Sequence, residues 1–293
     1  MKGRKMWLAM YKTCVKKLSG HGLKRYRFFK KINDFTMSTL KSDFAEVQGH
    51  KMYVGVRDNL HLSINEVYEP LETELVKKEI KKGDVVIDIG ANVGYYTLIF
   101  AKLVGDEGKV YAFEPEPYNF NLLKKNIEIN GYKNIILEQK GISNKNGKTI
   151  LYIGAQGTGG HSFADDGTRT PIDIEIVYLD DYFKDYEGKI DFIKMDIEGA
   201  EPLAIEGMSS ILNKNKNLKV MSEFAPIALN KFHVKPEDFL QLLMKNNFTI
   251  YYVDNQEKKI KLAKISELLE YYPEKDSATN LFCKRNEKTV SGV

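Results

Sequence analysis

The segment that most constrains this chain is Val85-Val-Ile-Asp-Ile-Gly-Ala-Asn-Val-Gly94, an apolar run broken only by Asp88 and followed by two glycines four positions apart. A strand buried on both faces reads as such a run. Glycines directly after it let the backbone turn tightly and approach a ligand. Helical spacing then takes over from Gly94 to Val104, stopped by Gly105. Strand, tight loop and helix in this order form the unit from which parallel sheets are wound, and the chain repeats it. Further strands are expected at Lys109–Phe113, Asn134–Gln139, Ile190–Met195, Leu218–Ser222, Ile250–Val253 and Thr279–Lys284. Helices are expected at Glu69–Ile80, Pro117–Asn130, about Glu201–Leu212 and Pro236–Asn247. Two short strands around Gly49-His50 precede the series, and two more, Thr149–Ile153 and Ile172–Tyr178, flank a glycine-rich excursion. Such alternation predicts an α/β fold with a mostly parallel sheet and helices on both faces.

The loop itself narrows the ligand. Dinucleotide sites seat a pyrophosphate on a helix N-terminus behind a GxGxxG spacing. Here the spacing is GxxxG, and Asp88 at the strand end would repel a pyrophosphate. Both features oppose a nicotinamide dehydrogenase and suit a ligand with an amino group or sulfonium, such as S-adenosylmethionine. Glu114 falls 20 residues after Gly94, where doubly wound folds place the acid that accepts both ribose hydroxyls. Its two oxygens suit a cis-diol. The expected cofactor-binding residues are therefore Asp88, Gly90, Asn92, Gly94, Tyr95, Glu114 and Pro115. Gly141, opening the segment after the third core strand, stands where such folds contact adenine.

Three motifs carry a resemblance to a known family: Gly83-Asp-Val-Val-Ile-Asp-Ile-Gly-Ala-Asn-Val-Gly-Tyr-Tyr-Thr97, Val110-Tyr-Ala-Phe-Glu-Pro115 and Ile193-Lys-Met-Asp-Ile-Glu-Gly-Ala-Glu201. From about Tyr68 to Val253 the chain resembles the FkbM family of class I, Rossmann-like methyltransferases. The last motif, KxDxEGxE, is the most family-specific. The resemblance implies a seven-stranded sheet whose final strand is antiparallel, a place that Thr279–Lys284 can fill. It also implies O-methylation, commonly of sugar hydroxyls in glycans, glycolipids or secondary metabolites.

Methyl transfer to an alcohol needs an aligned oxygen and a group to take its proton. Candidates belong at the C-terminal ends of strands. Asp196 ends the Ile190–Met195 strand, Glu198 lies two residues on, and Glu223 follows Leu218–Ser222. All three are expected at one mouth, with Asp196 as base or orienter beside the cofactor and Glu198 and Glu223 lining the acceptor pocket. Three acids can alternatively hold a divalent cation acting as a Lewis acid; no metal is assigned. Glu198 and Glu201 can instead serve the first turn of a helix. His161, in the glycine-rich segment Gly157-Thr-Gly-Gly-His-Ser-Phe163, is a second candidate base. Lys194 is either an outward strand residue or a charge partner for these acids.

Charge decides among the remaining partners. Residues 1–31 contain eleven Lys or Arg and no acid, which leaves 33 basic and 40 acidic residues in the body. Within the leader Trp7, Met10, Tyr11, Cys14, Val15 and Leu18 recur at helical spacing. A basic amphipathic helix can lie on anionic membrane or dock on its own domain. A membrane-lying leader would bring the enzyme to a lipid-linked sugar. Nucleic acid is disfavoured as acceptor because the acidic body leaves no basic surface around the crevice. A non-catalytic cofactor- or partner-binding module is opposed by the intact Asp88, Gly90, Gly94, Glu114 and Asp196. Two cysteines make no disulfide framework, and no apolar run reaches the roughly 20 residues of a membrane span. A cytoplasmic protein, peripheral at the inner face of the membrane if the leader binds lipid, is the expectation. The expected organisation is an extension over 1–43, a strand/helix cap over 44–83, a methyltransferase domain over 84–286 and a tail over 287–293.

Overall fold

Three sheets organise the residues that the computed structural model describes, which are 42–285 without 56–57, 59, 66, 155–166, 168, 255–256 and 273–277, together with Trp7 and Met10. The first is a hairpin of β1 (Phe44–Val47) and β2 (His50–Tyr53), turned at Gln48-Gly49. The central sheet begins with β3 (Val85–Ile89), β4 (Lys109–Phe113) and β5 (Ile135–Glu138). A small sheet of β6 (Gly141–Ile142), β7 (Gly147–Ile153) and β8 (Thr170–Val177) then intervenes. The chain returns to the central sheet with β9 (Phe192–Met195), β10 (Lys219–Phe224), β11 (Phe248–Asp254), β12 (Lys259–Leu262) and β13 (Thr279–Arg285).

In the central sheet the order is β12-β11-β13-β10-β9-β3-β4-β5. The pairs from β10 through β5 are parallel, while β13 runs antiparallel between β10 and β11. Strand order reverses at β3/β9: β4 and β5 were laid down on one side, β9 and β10 on the other. Ligands of open α/β sheets bind outside the carboxyl ends of the strands at such a switch point.

The expected seven-stranded core with one antiparallel strand is present, and β12 adds an eighth strand at its edge. Its sequence, Lys-Ile-Lys-Leu, alternates charge with apolar side chains in the manner of a protected edge, too short and too polar to announce itself. The single helix expected near Glu201–Leu212 is two, Glu201–Glu206 and Ser209–Lys214. Between them Gly207 lies so close to the carbonyl oxygen of Ser143 that a Cβ would overlap it. β10 runs to Phe224, which puts Glu223 inside the strand and not after it.

Strand alternation sorts the core into two layers. Ile87, Ile89, Ile193, Met195, Val220 and Phe224 face the helices after β9 and Pro236–Lys245. Val86, Phe192, Met221 and Phe282 face the helix Tyr95–Val104 together with cap residues such as Val47, Met52, Leu75 and Val76. On this second face the same alternation brings Asp88, Lys194, Glu223 and Asn280 to the carboxyl end. Asp88 is in register with Lys194, and Glu223 with Asn280.

Phe100 is fully buried in this layer, 5.7 Å from the Tyr96 ring and 6.0 Å from that of Phe192. Phe100→Ala is expected to lower the unfolding free energy by about 3–5 kcal/mol. Chemical denaturation beside Ile129→Ala, at a side chain 38% exposed, checks this, the latter costing under about 1 kcal/mol.

Candidate active site

The loop after β3 is a tight turn bounded by two glycines, Gly90 and Gly94. Gly90, Asn92 and Gly94 all take left-handed φ, at 77°, 52° and 95°, a region that asparagine tolerates better than most residues. Gly90 and Ala91 both donate their N–H to the Phe113 carbonyl at 3.0 Å, hanging the loop from β4. A Cβ on Gly90 would overlap the carbonyl oxygen of Asp196, and one on Gly94 would meet Leu123 Cδ1 at 2.5 Å. Buried Asn126 clamps the loop from behind, donating to the Val93 carbonyl at 2.8 Å and to the Tyr53 carbonyl at 2.9 Å.

Glu114 closes one side. Its Oε2 accepts from Asn92 N at 2.8 Å and its Oε1 from Glu116 N at 2.9 Å. Each oxygen keeps a second lone pair. Burial pushes this carboxyl up to about 7 against the lowering by those two N–H groups, with Glu116 and Asp88 adding repulsion. Pro115 is half-buried, and Gly141 is buried in β6 opposite Ile176. Asp88 is fully buried: Thr97 Oγ1 donates to its Oδ2 at 2.6 Å, while Oδ1 has no partner. The Tyr95 hydroxyl is taken up by Tyr68 N and Thr73 Oγ1, so this side chain holds the cap to the helix.

Beyond the loop lies an acid-rich mouth. Lys194, 3% exposed, stands over the Tyr96 ring at 5.0 Å with its Nζ 3.3 Å from Asp196 Oδ2. Burial alone would lower its pKa; Asp196, Asp88 and Glu69 outweigh that and raise it, so the ammonium stays charged. Glu69 takes left-handed φ (45°) just before the helix Pro70–Glu79 and accepts from the Tyr96 hydroxyl at 2.8 Å and Asn280 Nδ2 at 3.0 Å. Burial pushes it up to about 6, with Asp196 adding to the rise and Lys194 opposing it. Glu223 Oε2 is buried without a partner. Burial, then Asp196, Glu198, Glu201 and Glu69, raise its carboxyl well above the usual range. The Tyr68 phenol is raised by burial and by Glu69, Asp196 and Glu223, which sets it at the same mouth. Glu198 is half-buried with φ at 54°. Glu201 differs from its neighbours: it is buried and accepts from Ile197 N and Gly199 N, both at 2.9 Å. Its role is to pin the loop after β9.

The structure thus brings Asp196, Glu198 and Glu223 together, and adds Tyr68, Glu69, Tyr96 and Asn280, none of which sequence reasoning singled out. Asn280 and Glu69 are 211 positions apart, and no local pattern links them. His161 lies outside the described residues, as does the leader apart from Trp7 and Met10, both exposed and helical. Among the described residues no three His, Cys, Asp or Glu side chains form a metal-chelating group, and no helix is long and apolar enough to cross a membrane. A separate cavity of about 280 Å³, lined by Phe183, Tyr186, Ile190 and Lys214 among others, lies at the opposite end of β9 from Asp196.

The sequence model of the methyltransferase FkbM domain matches residues 88–250. A methyltransferase of Sordaria araneosa named sdnD is 28% identical over 155 residues, covering 42% of this chain and 60% of that protein. Methyltransferase 1 of Beauveria bassiana is 24% identical over 170 residues, covering 47% of this chain and 68% of that protein. Less than two thirds of the first relative's length is therefore spanned. Among solved structures, a SAM-dependent methyltransferase from Aquifex aeolicus aligns with a TM-score of 0.42 at 15% identity, over 74% of this chain and 89% of that one.

The loop and its acid are each open to measurement. Gly90→Ala is expected to abolish binding of S-adenosylhomocysteine in calorimetry, because the methyl group occupies space now filled by the Asp196 carbonyl. Glu114 holds its proton more tightly folded (about 7) than unfolded (about 4.3). Protonation therefore favours the folded state, and this stabilisation drains away as pH rises from about 4.3 to 7. Its full size is on the order of 4 kcal/mol. His50, pushed down to about 4 chiefly by burial, acts in the opposite sense below about 6.5. Urea midpoints between pH 5 and 7.5 should accordingly fall less in Glu114→Gln than in the wild type.

Proposed function

This chain belongs to the FkbM methyltransferase family, and we propose that it methylates a hydroxyl group, that of a sugar in a glycan, glycolipid or small metabolite. It is an S-adenosylmethionine-dependent methyltransferase. The residues present fit that cofactor: a loop that Gly90 lets lie flat against the Asp196 carbonyl, a buried acid with lone pairs for a cis-diol at Glu114, and an unpartnered oxygen on Asp88. When bound, the cofactor supplies a methyl group already activated on a sulfonium.

What the protein must add is alignment and a proton acceptor. One observation carries the hydroxyl reading: a carboxylate, Asp196, at the open end of β9, against the cofactor loop and 3.3 Å from a buried ammonium. In this reading Glu114 takes the ribose hydroxyls, while Gly90, Asn92 and Gly94 shape the floor beside Asp88, bordered by Pro115 and Gly141; Tyr95, bound to the cap, backs the loop and does not touch the cofactor. Asp196 accepts the acceptor's proton at a carboxylate oxygen, and the Lys194 ammonium, 3.3 Å from Oδ2, holds that side chain in place. Glu198 and Glu223 accept from neighbouring hydroxyls and orient the ring. His161 is the second candidate for the proton. Acids outnumber cations at the mouth, which favours a neutral polyol over a polyanion such as nucleic acid.

The test is transfer of a radiolabelled methyl group to a panel of oligosaccharides, with ribosomal RNA and a mixed protein substrate alongside. Sugar labelling is expected, and labelling confined to RNA or protein would overturn the reading. With the labelled sugar, Asp196→Asn should lower kcat by about 10²–10⁴-fold and leave S-adenosylhomocysteine affinity unchanged.

A further inference from the structure

We propose that the carboxylates Glu69, Asp196, Glu198 and Glu223 sense the cofactor's charge, Glu223 giving up a proton when S-adenosylmethionine binds and keeping it when S-adenosylhomocysteine binds. The inference rests on the family's cofactor and not on the identity of the acceptor.

Placement is the first ground. Alternation along β9 and β10 puts Lys194 and Glu223 on one sheet face with Asp88, and Gly90 lies against the Asp196 carbonyl. The acidic mouth and the cofactor loop therefore share a wall. A shortage of donors is the second. Glu201 is committed to two backbone N–H groups, Glu69 to Tyr96 and Asn280, and the buried ammonium of Lys194 to Asp196. Three carboxylate oxygens on this face, Asp88 Oδ1, Glu72 Oε2 and Glu223 Oε2, are buried with no donor at all, on residues that for Asp88 and Glu72 are 0% and 1% exposed.

Glu223 is the most crowded of these acids. Asp196, Glu198 and Glu201 face it from the end of β9, Glu69 and Tyr68 from the cap, and uncharged Asn280 is its register partner on β13. The nearby cation, Lys194, is held by Asp196. With no further positive charge the cheapest state of this group keeps a proton on Glu223, in accord with its raised pKa. A second cation changes the balance, since an opposite charge within about 4–6 Å lowers a carboxyl pKa by roughly 1–3 units. The two cofactor forms differ only by the methyl group and its positive charge, so comparing them isolates that effect.

The reaction closes the cycle. As the methyl group passes from sulfur to oxygen, the C–S bond breaks with its electron pair left on sulfur and a C–O bond forms from an oxygen pair. The hydroxyl proton passes to Asp196 and on to the vacated Glu223. One positive charge leaves the sulfur and one proton enters the carboxylates, so the buried site keeps the same net charge before and after the step.

The experiment is titration calorimetry of the full chain at pH 6.5, where the α-amino groups of both ligands stay protonated, in buffers of different ionisation enthalpy. S-adenosylmethionine should release about 0.5–1 proton more than S-adenosylhomocysteine. Glu223→Gln should erase that difference with S-adenosylhomocysteine affinity unchanged. Equal proton counts for the two ligands in the wild-type protein would overturn the proposal, as would a difference that survives in Glu223→Gln. A measurement free of variants is the ratio of the two affinities between pH 5.5 and 7.5. Linkage makes it favour S-adenosylmethionine by up to about tenfold per pH unit, whereas a flat ratio would sink the idea.

Discussion

The backbone of Gly90 lies directly on the carbonyl oxygen of Asp196, and the rest of the site depends on that contact. β3 and β9 are hydrogen-bonded neighbours, so their loops leave the sheet side by side and compete for the same space. Only a residue without a Cβ, free to take a left-handed φ, lets the first loop fold flat across the second. The loop after β3 and the backbone of Asp196 then adjoin with no Cβ of residue 90 between them. The two N–H bonds from Gly90 and Ala91 to Phe113 and the Asn126 clamp keep that arrangement from relaxing.

Such closeness concentrates negative charge, and the structure answers with one buried cation. Lys194 occupies a strand position that alternation turns toward the layer of Tyr96 and Phe192. A lone ammonium there would be costly; set between Asp88, Asp196 and Glu69, it is retained in its charged form. At Glu69 that ammonium opposes the rise without cancelling it, and burial drives Glu114 and Glu223 upward as well. Two of the mouth's acids, Glu69 and Glu198, also hold left-handed backbone that few non-glycine residues adopt. Strain and unpaired charge at one place are the mark of a site kept for chemistry at the expense of stability.

The cap contributes more than cover. Its hairpin and helix bury Val47, Met52, Leu75 and Val76 against the same layer as Leu98 and Phe282, and the start of that helix brings Tyr68, Glu69 and Glu72 to the mouth. A reading along the chain separates residues 44–83 from the strands and helices beyond them, because the glycine loop looks like a beginning. In space the two segments share a core.

Much of the molecule was legible in sequence because strand periodicity, glycine spacing and the distance from Gly94 to Glu114 are local quantities. Those patterns sufficed for the α/β class, the parallel core and the idea of Asp196, Glu198 and Glu223 at one mouth, whereas the antiparallel closing strand followed from the family resemblance. They failed where the signal was diluted, as in the half-charged strand β12, or where a distant atom intervened, as at Gly207 beneath Ser143. Tertiary structure alone decided that Lys194 faces the acids, that Tyr95 serves the cap, and that Glu69 and Asn280 meet across 211 positions. Backbone chemistry repeats every two or three to four residues and so is written along the chain. The partners of a buried charge are chosen by whichever strands lie side by side, and that choice exists only once the sheet has formed.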